Sequence, residues 1–148
     1  MMRRWQQLSR LTGAQRRALV RACLLIPWTL LRLHTRGYDR FRRTIDALPV
    51  HTSTSPEALK PIGEAVNIAA RHGPWTCTCL PRSMVLHELL RRQGLNAQLC
   101  IGVRRDAGGI EAHAWVEYGG QPINDRPDIA NDYLPFDGDT AAAHFSTS

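Results

Sequence analysis

Three side chains of this sequence have the types and spacing for acyl-transfer chemistry: Cys79, His113 and Asp125. A thiol becomes a nucleophile when it loses its proton, and the positive end of a helix dipole favours that loss. Cys79 follows Trp75-Thr-Cys-Thr and opens an apolar-periodic segment, so it stands in the first turn of a helix. Cys77 competes for the role, but it precedes the helix proper and gains less from the dipole.

The base must come from elsewhere in the chain. His87 lies eight residues along the same helix, roughly 12 Å away at 1.5 Å per residue, and cannot reach. His34 sits in a basic helical region, His51 in a loop, His72 at a helix end and His144 near the C-terminus. His113 differs, being mid-strand in Glu-Ala-His-Ala-Trp-Val-Glu. Strand alternation puts His113, Trp115 and Glu117 on one face and Ala112, Ala114 and Val116 on the other. A Gly119-Gly120 hairpin then returns the chain beside this strand and brings Asp125 near His113. A carboxylate there accepts the ring N–H, fixing the tautomer and stabilising the imidazolium. Asn124 is a substitute for that orienting role, and Asp128 and Asp132 are looser alternatives.

The elements that must hold these groups are legible from periodicity. Thr12-Gly-Ala-Gln15 has capping-box spacing, and Ala18, Leu19, Ala22, Cys23, Ile26 and Leu30 follow at helical intervals. Pro27 is expected to kink or divide that helix. Gly37 marks a break before a second stripe of Tyr38, Phe41, Ile45 and Leu48. Ser55-Pro56-Glu57 starts a third helix, with Ile62, Ala65, Val66 and Ala69 buried and Gly73-Pro74 as its stop. The central helix spans 79–92, with Met84, Val85, Leu89 and Leu90 apolar. Beyond Gly94 the period becomes alternating, giving strands with Ala97, Leu99, Ile101 and Val103 on one face, then 111–118 and 121–125. The fold class is α+β, a helical N-terminal half followed by a central helix and an antiparallel sheet. The 148 residues fit one domain: a helical portion over 1–50, a catalytic core over 56–125 and an irregular tail over 126–148.

Composition narrows the class. Four cysteines without a secretory signal suit a cytosolic thiol protein rather than a disulfide scaffold. The apolar run 22–31 is half the roughly twenty residues that a membrane span needs, and it is read as a core helix. Zinc would have to enlist Cys77, Cys79, Cys100 and His113, but Cys-x-Cys is tighter than the usual ligand gap and there is no second close pair. No cofactor is implied. Residues 1–43 hold eleven arginines against one acid, while 106–148 hold eight acids and one arginine. Such asymmetry suits an acidic docking partner, a nucleic acid, or a basic face packed over an acidic half of the same domain. A nucleic-acid adaptor is the disfavoured reading, because no nucleic-acid motif accompanies the arginines.

Several segments in order resemble one family: Cys79-Leu-Pro-Arg-Ser-Met-Val-Leu-His-Glu-Leu-Leu-Arg-Arg-Gln-Gly, Ala97-Gln-Leu-Cys-Ile-Gly-Val, Ala112-His-Ala-Trp-Val-Glu and Pro122-Ile-Asn-Asp. Together they resemble the lasso-peptide leader peptidases, bacterial proteins of papain/transglutaminase type. The resemblance runs from about Glu64 to Asp125. It implies a cysteine peptidase that removes the leader of a ribosomal precursor peptide, with Cys79, His113 and Asp125 as its triad. It also implies partners: the precursor, a separate leader-recognition protein, and an ATP-dependent macrolactam cyclase that uses the freed amine. Fused members carry a recognition domain ahead of the peptidase; the helical first fifty residues here resemble the split form. Acyl transfer to an amine, as in true transglutaminases, is the alternative reaction through the same thioester. No glutamine stands in the few residues before Cys79 as an oxyanion donor, and Trp75 is a candidate wall or donor, with packing the favoured role.

Overall fold

A computed structural model of the protein describes residues 9–136. The first helix, α1 (Gly13–Arg36), is capped by the expected box: Thr12 Oγ1 accepts from the Gln15 N–H at 3.2 Å, and Gln15 Oε1 accepts from the Thr12 N–H at 2.9 Å. Pro27 lies inside α1 and does not divide it, so of the two expected outcomes division is excluded. Pro27 removes one backbone donor, but packing of the flanking turns on α3 (Pro56–His72) and α4 (Cys79–Arg92) holds the helix together. Gly37, with φ +79°, takes the backbone where side-chain-bearing residues are strained and turns the chain into α2 (Tyr38–Asp46). Pro56 occupies the first turn of α3, where its missing N–H costs nothing.

Helix α4 is the buried axis of the molecule. Met84, Val85, Leu86 and Leu90 are fully enclosed, and so are His87 and Glu88, which sequence periodicity had not placed inside. Both of these buried polar side chains have an ionic partner. Glu88 takes Arg32 at 3.2 Å and Arg92 at 2.8 Å, and His87 Nε2 meets Asp46 Oδ1 at 2.9 Å. His87 is therefore a core histidine.

The sheet contains β1 (Gln98–Asp106), β2 (Gly109–Tyr118), β3 (Gln121–Pro122) and β4 (Leu134–Pro135), in the order β3-β2-β1-β4 with every neighbour antiparallel. The chain is α+β, as its periodicity indicated. Val116 and Tyr118 face the helices, while Trp115 packs with Ile129 and Tyr133 on the other side. Two expectations need correction. The third strand stops at Pro122 instead of running to 125. The segment from 126, expected to be irregular, contains a 3-10 turn at Ile129–Asn131 and then β4, which pairs with the far edge of β1. Residues 137–148 of the expected tail lie outside the described residues, as does His144.

The run 22–31 is only half a core helix. Ala22, Ile26 and Thr29 are buried, but Leu24 is 70% and Trp28 53% exposed, with Val20 and Leu31 also exposed on the same side. Among the described residues no helix is long and apolar enough to cross a membrane.

Candidate active site

Cys79 is the first residue of α4, half-buried, with Thr78 at the cap position and no side-chain cap bond. The first intrahelical bond runs from the Arg82 N–H to the Thr78 carbonyl. The N–H groups of Cys79 and Leu80 therefore precede the helical ladder, and Pro81 has none to offer. An uncapped helix start of this kind favours negative charge. Burial raises the Cys77 thiol above its ordinary pKa, against the pull of the Arg82 cation. Burial raises Cys100 further, to about 11, with Glu117 adding to the effect.

His113 and Asp125 are brought together. His113 Nε2 lies 2.7 Å from Asp125 Oδ2. With Nε2–H donated to the carboxylate, Nδ1 carries the lone pair. The backbone that delivers Asp125 departs from regular pairing just after Pro122. The Ile123 N–H still bonds the Val116 carbonyl at 2.8 Å, but the Val116 N–H is taken by Asn124 Oδ1 at 2.9 Å. Asn124 Nδ2 donates to Ser83 Oγ at 3.1 Å, and Ser83 Oγ donates to the Ala114 carbonyl at 2.9 Å. Asn67 Nδ2 donates to the Asn124 carbonyl at 3.0 Å. Asn124 is thus the buried clamp that fastens this segment to α3, α4 and β2, leaving Asp125 as the carboxyl group at His113. Asp128 and Asp132, the looser alternatives, both pair with Arg126.

The clamp also locates the helix carrying Cys79. Ser83 is one turn beyond Cys79, and its bond to Ala114 ties that end of α4 to the residue next to His113. Gly63 on α3 completes the seat. A Cβ there would fall 2.4 Å from the Ile123 carbonyl oxygen, so only glycine lets α3 approach the segment this closely.

Strand alternation placed Trp115 beside the imidazole, but sequence reasoning missed Tyr133. The Tyr133 ring stacks on His113 with centroids 5.3 Å apart, and Trp115 lies at 6.1 Å. Tyr133 reaches this position because Gly102, paired in register with His113, has no side chain; a Cβ would meet Tyr133 Cβ at 2.5 Å. A glycine within an alternating strand was the available signal, since it marks close approach of another group. Arg82 was also missed; its Nη2 faces Asp125 Oδ2 at 3.7 Å. Trp75 is 45% exposed and makes no hydrogen bond among the described residues. An open cleft of about 730 Å³ runs past Asp125, bordered by Glu64, Asn67 and Arg71 of α3 and by Arg82 and Arg126. Among the described residues no group of three or more His, Cys, Asp or Glu side chains is placed to hold a metal ion.

A half-buried thiol at an uncapped helix start, clamped to the strand of a carboxylate-bound histidine, has the parts for thioester chemistry. Residues 24–136 match the family model of the transglutaminase-like superfamily. The chain belongs to that superfamily. It is also 43% identical, over 51 residues, to the microcin J25-processing protein McjB of Escherichia coli; the aligned part is 34% of this chain and 24% of McjB. The chain thus spans about a quarter of that relative's length. No solved structure matches it.

Proposed function

We propose that this transglutaminase-like protein is a cysteine peptidase that removes the leader from a lasso-peptide precursor, with Cys79 as nucleophile, His113 as base and Asp125 as its orienting carboxylate. The observation that carries the reading is the 2.7 Å contact of His113 with Asp125 on a strand fastened to the helix that begins at Cys79. The similarity to a microcin-processing protein supports the precursor peptide as substrate class.

In this mechanism His113 Nδ1 takes the Cys79 thiol proton, and the resulting thiolate attacks the scissile carbonyl carbon. The N–H groups of Cys79 and Leu80 face the oxyanion that develops. His113 Nδ1–H protonates the leaving amine as the C–N bond breaks, leaving a thioester on Cys79. The same nitrogen then takes a proton from the water that attacks the thioester and passes it to the departing Cys79 sulfur, restoring the free thiol and the neutral imidazole. Asp125 accepts the Nε2–H throughout and balances the imidazolium charge.

The test is incubation with the precursor peptide, with and without a separate leader-recognition protein, read by mass spectrometry. Free leader and core peptide are expected. Cys79→Ala and His113→Ala should each abolish cleavage while circular dichroism stays native, with Asp125→Asn less damaging. Cys77→Ala should keep most activity. A product joined to an added amine in place of hydrolysis would assign acyl transfer. Full activity in His113→Ala would remove the triad.

A further inference from the structure

We propose that Arg82 is a positioning residue for the His113–Asp125 pair, setting the charge that the imidazole feels and linking it electrostatically to the helix of Cys79. The inference rests on the triad reading and adds a fourth group to it.

Asp125 Oδ2 faces two nitrogen partners: His113 Nε2 at 2.7 Å and the Arg82 guanidinium Nη2 at 3.7 Å. The Arg82 and Asp125 side chains are 19% and 16% exposed, so water screens the interaction weakly. Nε and Nη2 of Arg82 are buried and make no hydrogen bond among the described residues. Other buried or bridging arginines are served elsewhere: Arg32 by Glu88, Arg104 by Glu111, and Arg126 by Asp128 and Asp132. An enclosed guanidinium is costly unless a charge compensates it, and the facing charge here is Asp125. At 3.7 Å the pair is an ion contact without a hydrogen bond, a spacing that suits tightening when substrate closes the site.

The other end of the link is the nucleophile. Arg82 lies three residues after Cys79 on α4, one turn along the same face. Its charge also reaches the neighbouring thiol, since it pulls Cys77 down against burial. A purely mechanical role would duplicate an existing latch, because Asn124 and Ser83 already bind this segment to α4. The other charges nearby are Glu64 and Arg71 across the cleft, Arg126, and the Arg104–Glu111 pair beyond Tyr133.

Removing the Arg82 charge has two consequences of the same sign. The thiolate at Cys79 loses a nearby cation. Asp125, no longer shared, acts with its full charge on His113 and holds the imidazolium to higher pH. Both limbs of the activity profile should therefore move upward in pH.

The experiment measures iodoacetamide alkylation of Cys79 against pH by peptide mass mapping, together with kcat and KM on the precursor. It compares wild type, Arg82→Lys, Arg82→Met and Arg82→Gln, the last keeping a polar head in case the Met variant does not fold. For either neutral variant, alkylation on the acid limb should slow about tenfold, the profile should shift to higher pH, and kcat should fall with KM little changed. Arg82→Lys should restore the profile. Neutral variants whose profile overlies wild type, or a Lys variant as impaired as they are, would leave Arg82 a mechanical latch and overturn the proposal. A wild-type Cys79 that alkylates no faster than a free thiol and ignores His113→Ala would instead bring down the triad reading, and this proposal with it.

Discussion

At the residue scale, the three cysteines near the site, Cys77, Cys79 and Cys100, differ in what surrounds them. Burial raises Cys77, and burial with Glu117 raises Cys100 to about 11, so neither offers much thiolate near neutrality. Cys79 stands at an uncapped helix start. Of these three, iodoacetamide at pH 7.5 should modify Cys79 fastest and Cys100 slowest, with Cys77 closer to Cys100; Cys100 labelling ahead of Cys79 would contradict the nucleophile assignment. A second residue-scale expectation concerns His87. Burial lowers its pKa below the ordinary 6.5, outweighing the pull of Asp46. The unfolded chain protonates this ring at its ordinary value, while the native state resists the proton. Stability contributed by His87 is therefore complete above pH 6.5 and falls as the pH drops below it. Urea midpoints between pH 7.5 and 5.5 should decline in wild type and decline less steeply in His87→Gln. An equal slope in both would place the titration elsewhere.

At the scale of elements, the helices and the β1–β2 hairpin were legible because each has one clear period and a turn signal at its end. Cys79, His113 and Asp125 could be nominated for the same reason: a helix start, a mid-strand position and a two-glycine turn are local features. What could not be read was whatever depends on two distant segments meeting. Asn124 looked interchangeable with Asp125 because the sequence does not reveal Ser83 and Asn67 waiting for its amide. Tyr133 looked like tail because nothing local signals that β4 returns to the far edge of β1. The exposed half of α1 was misread because an apolar run does not say how many of its sides will be covered. Gly63 shows how strongly the site depends on such meetings. Gly63→Ala puts a methyl against a backbone oxygen at 2.4 Å, so the 123–125 segment must move away from α3. Overpacking of this kind costs about 1–3 kcal/mol. We expect a lowered denaturation midpoint and, because Asp125 moves too, a fall in kcat beyond that of a surface control such as Gly108→Ala, whose Cβ meets nothing within 4 Å. Unchanged kcat with lowered stability would separate the seat from the chemistry.

For the molecule as a whole, the charge asymmetry and the uncovered side of α1 belong to one argument. Val20, Leu24, Trp28 and Leu31 form an exposed apolar row about 16 Å long at 1.5 Å per residue, and Arg16, Arg17 and Arg21 are exposed toward its N-terminal end. A helix apolar on both sides wants both sides covered, and the cationic end favours a partner with carboxylates at its rim. Two copies packed through this row would bring Arg16, Arg17, Arg21 and Arg36 of both copies close together at its ends, which disfavours self-association. Under the proposed function, we infer that a separate leader-recognition protein would be the occupant of this row. By holding the leader, it would raise the local precursor concentration near Cys79 to roughly the millimolar range. Full-length precursor should therefore be cleaved slowly by this protein alone and much faster when the recognition protein is added. Trp28→Ser, or charge reversal at Arg16, Arg17 and Arg21, should reduce that gain without affecting cleavage of a short untethered peptide, because these exposed side chains lie outside the His113–Asp125 pair and its clamp. The measurement is initial rate against partner concentration for both substrates in each variant. A protein fully active on low-micromolar precursor without any partner would make the row irrelevant to catalysis and leave an independent peptidase.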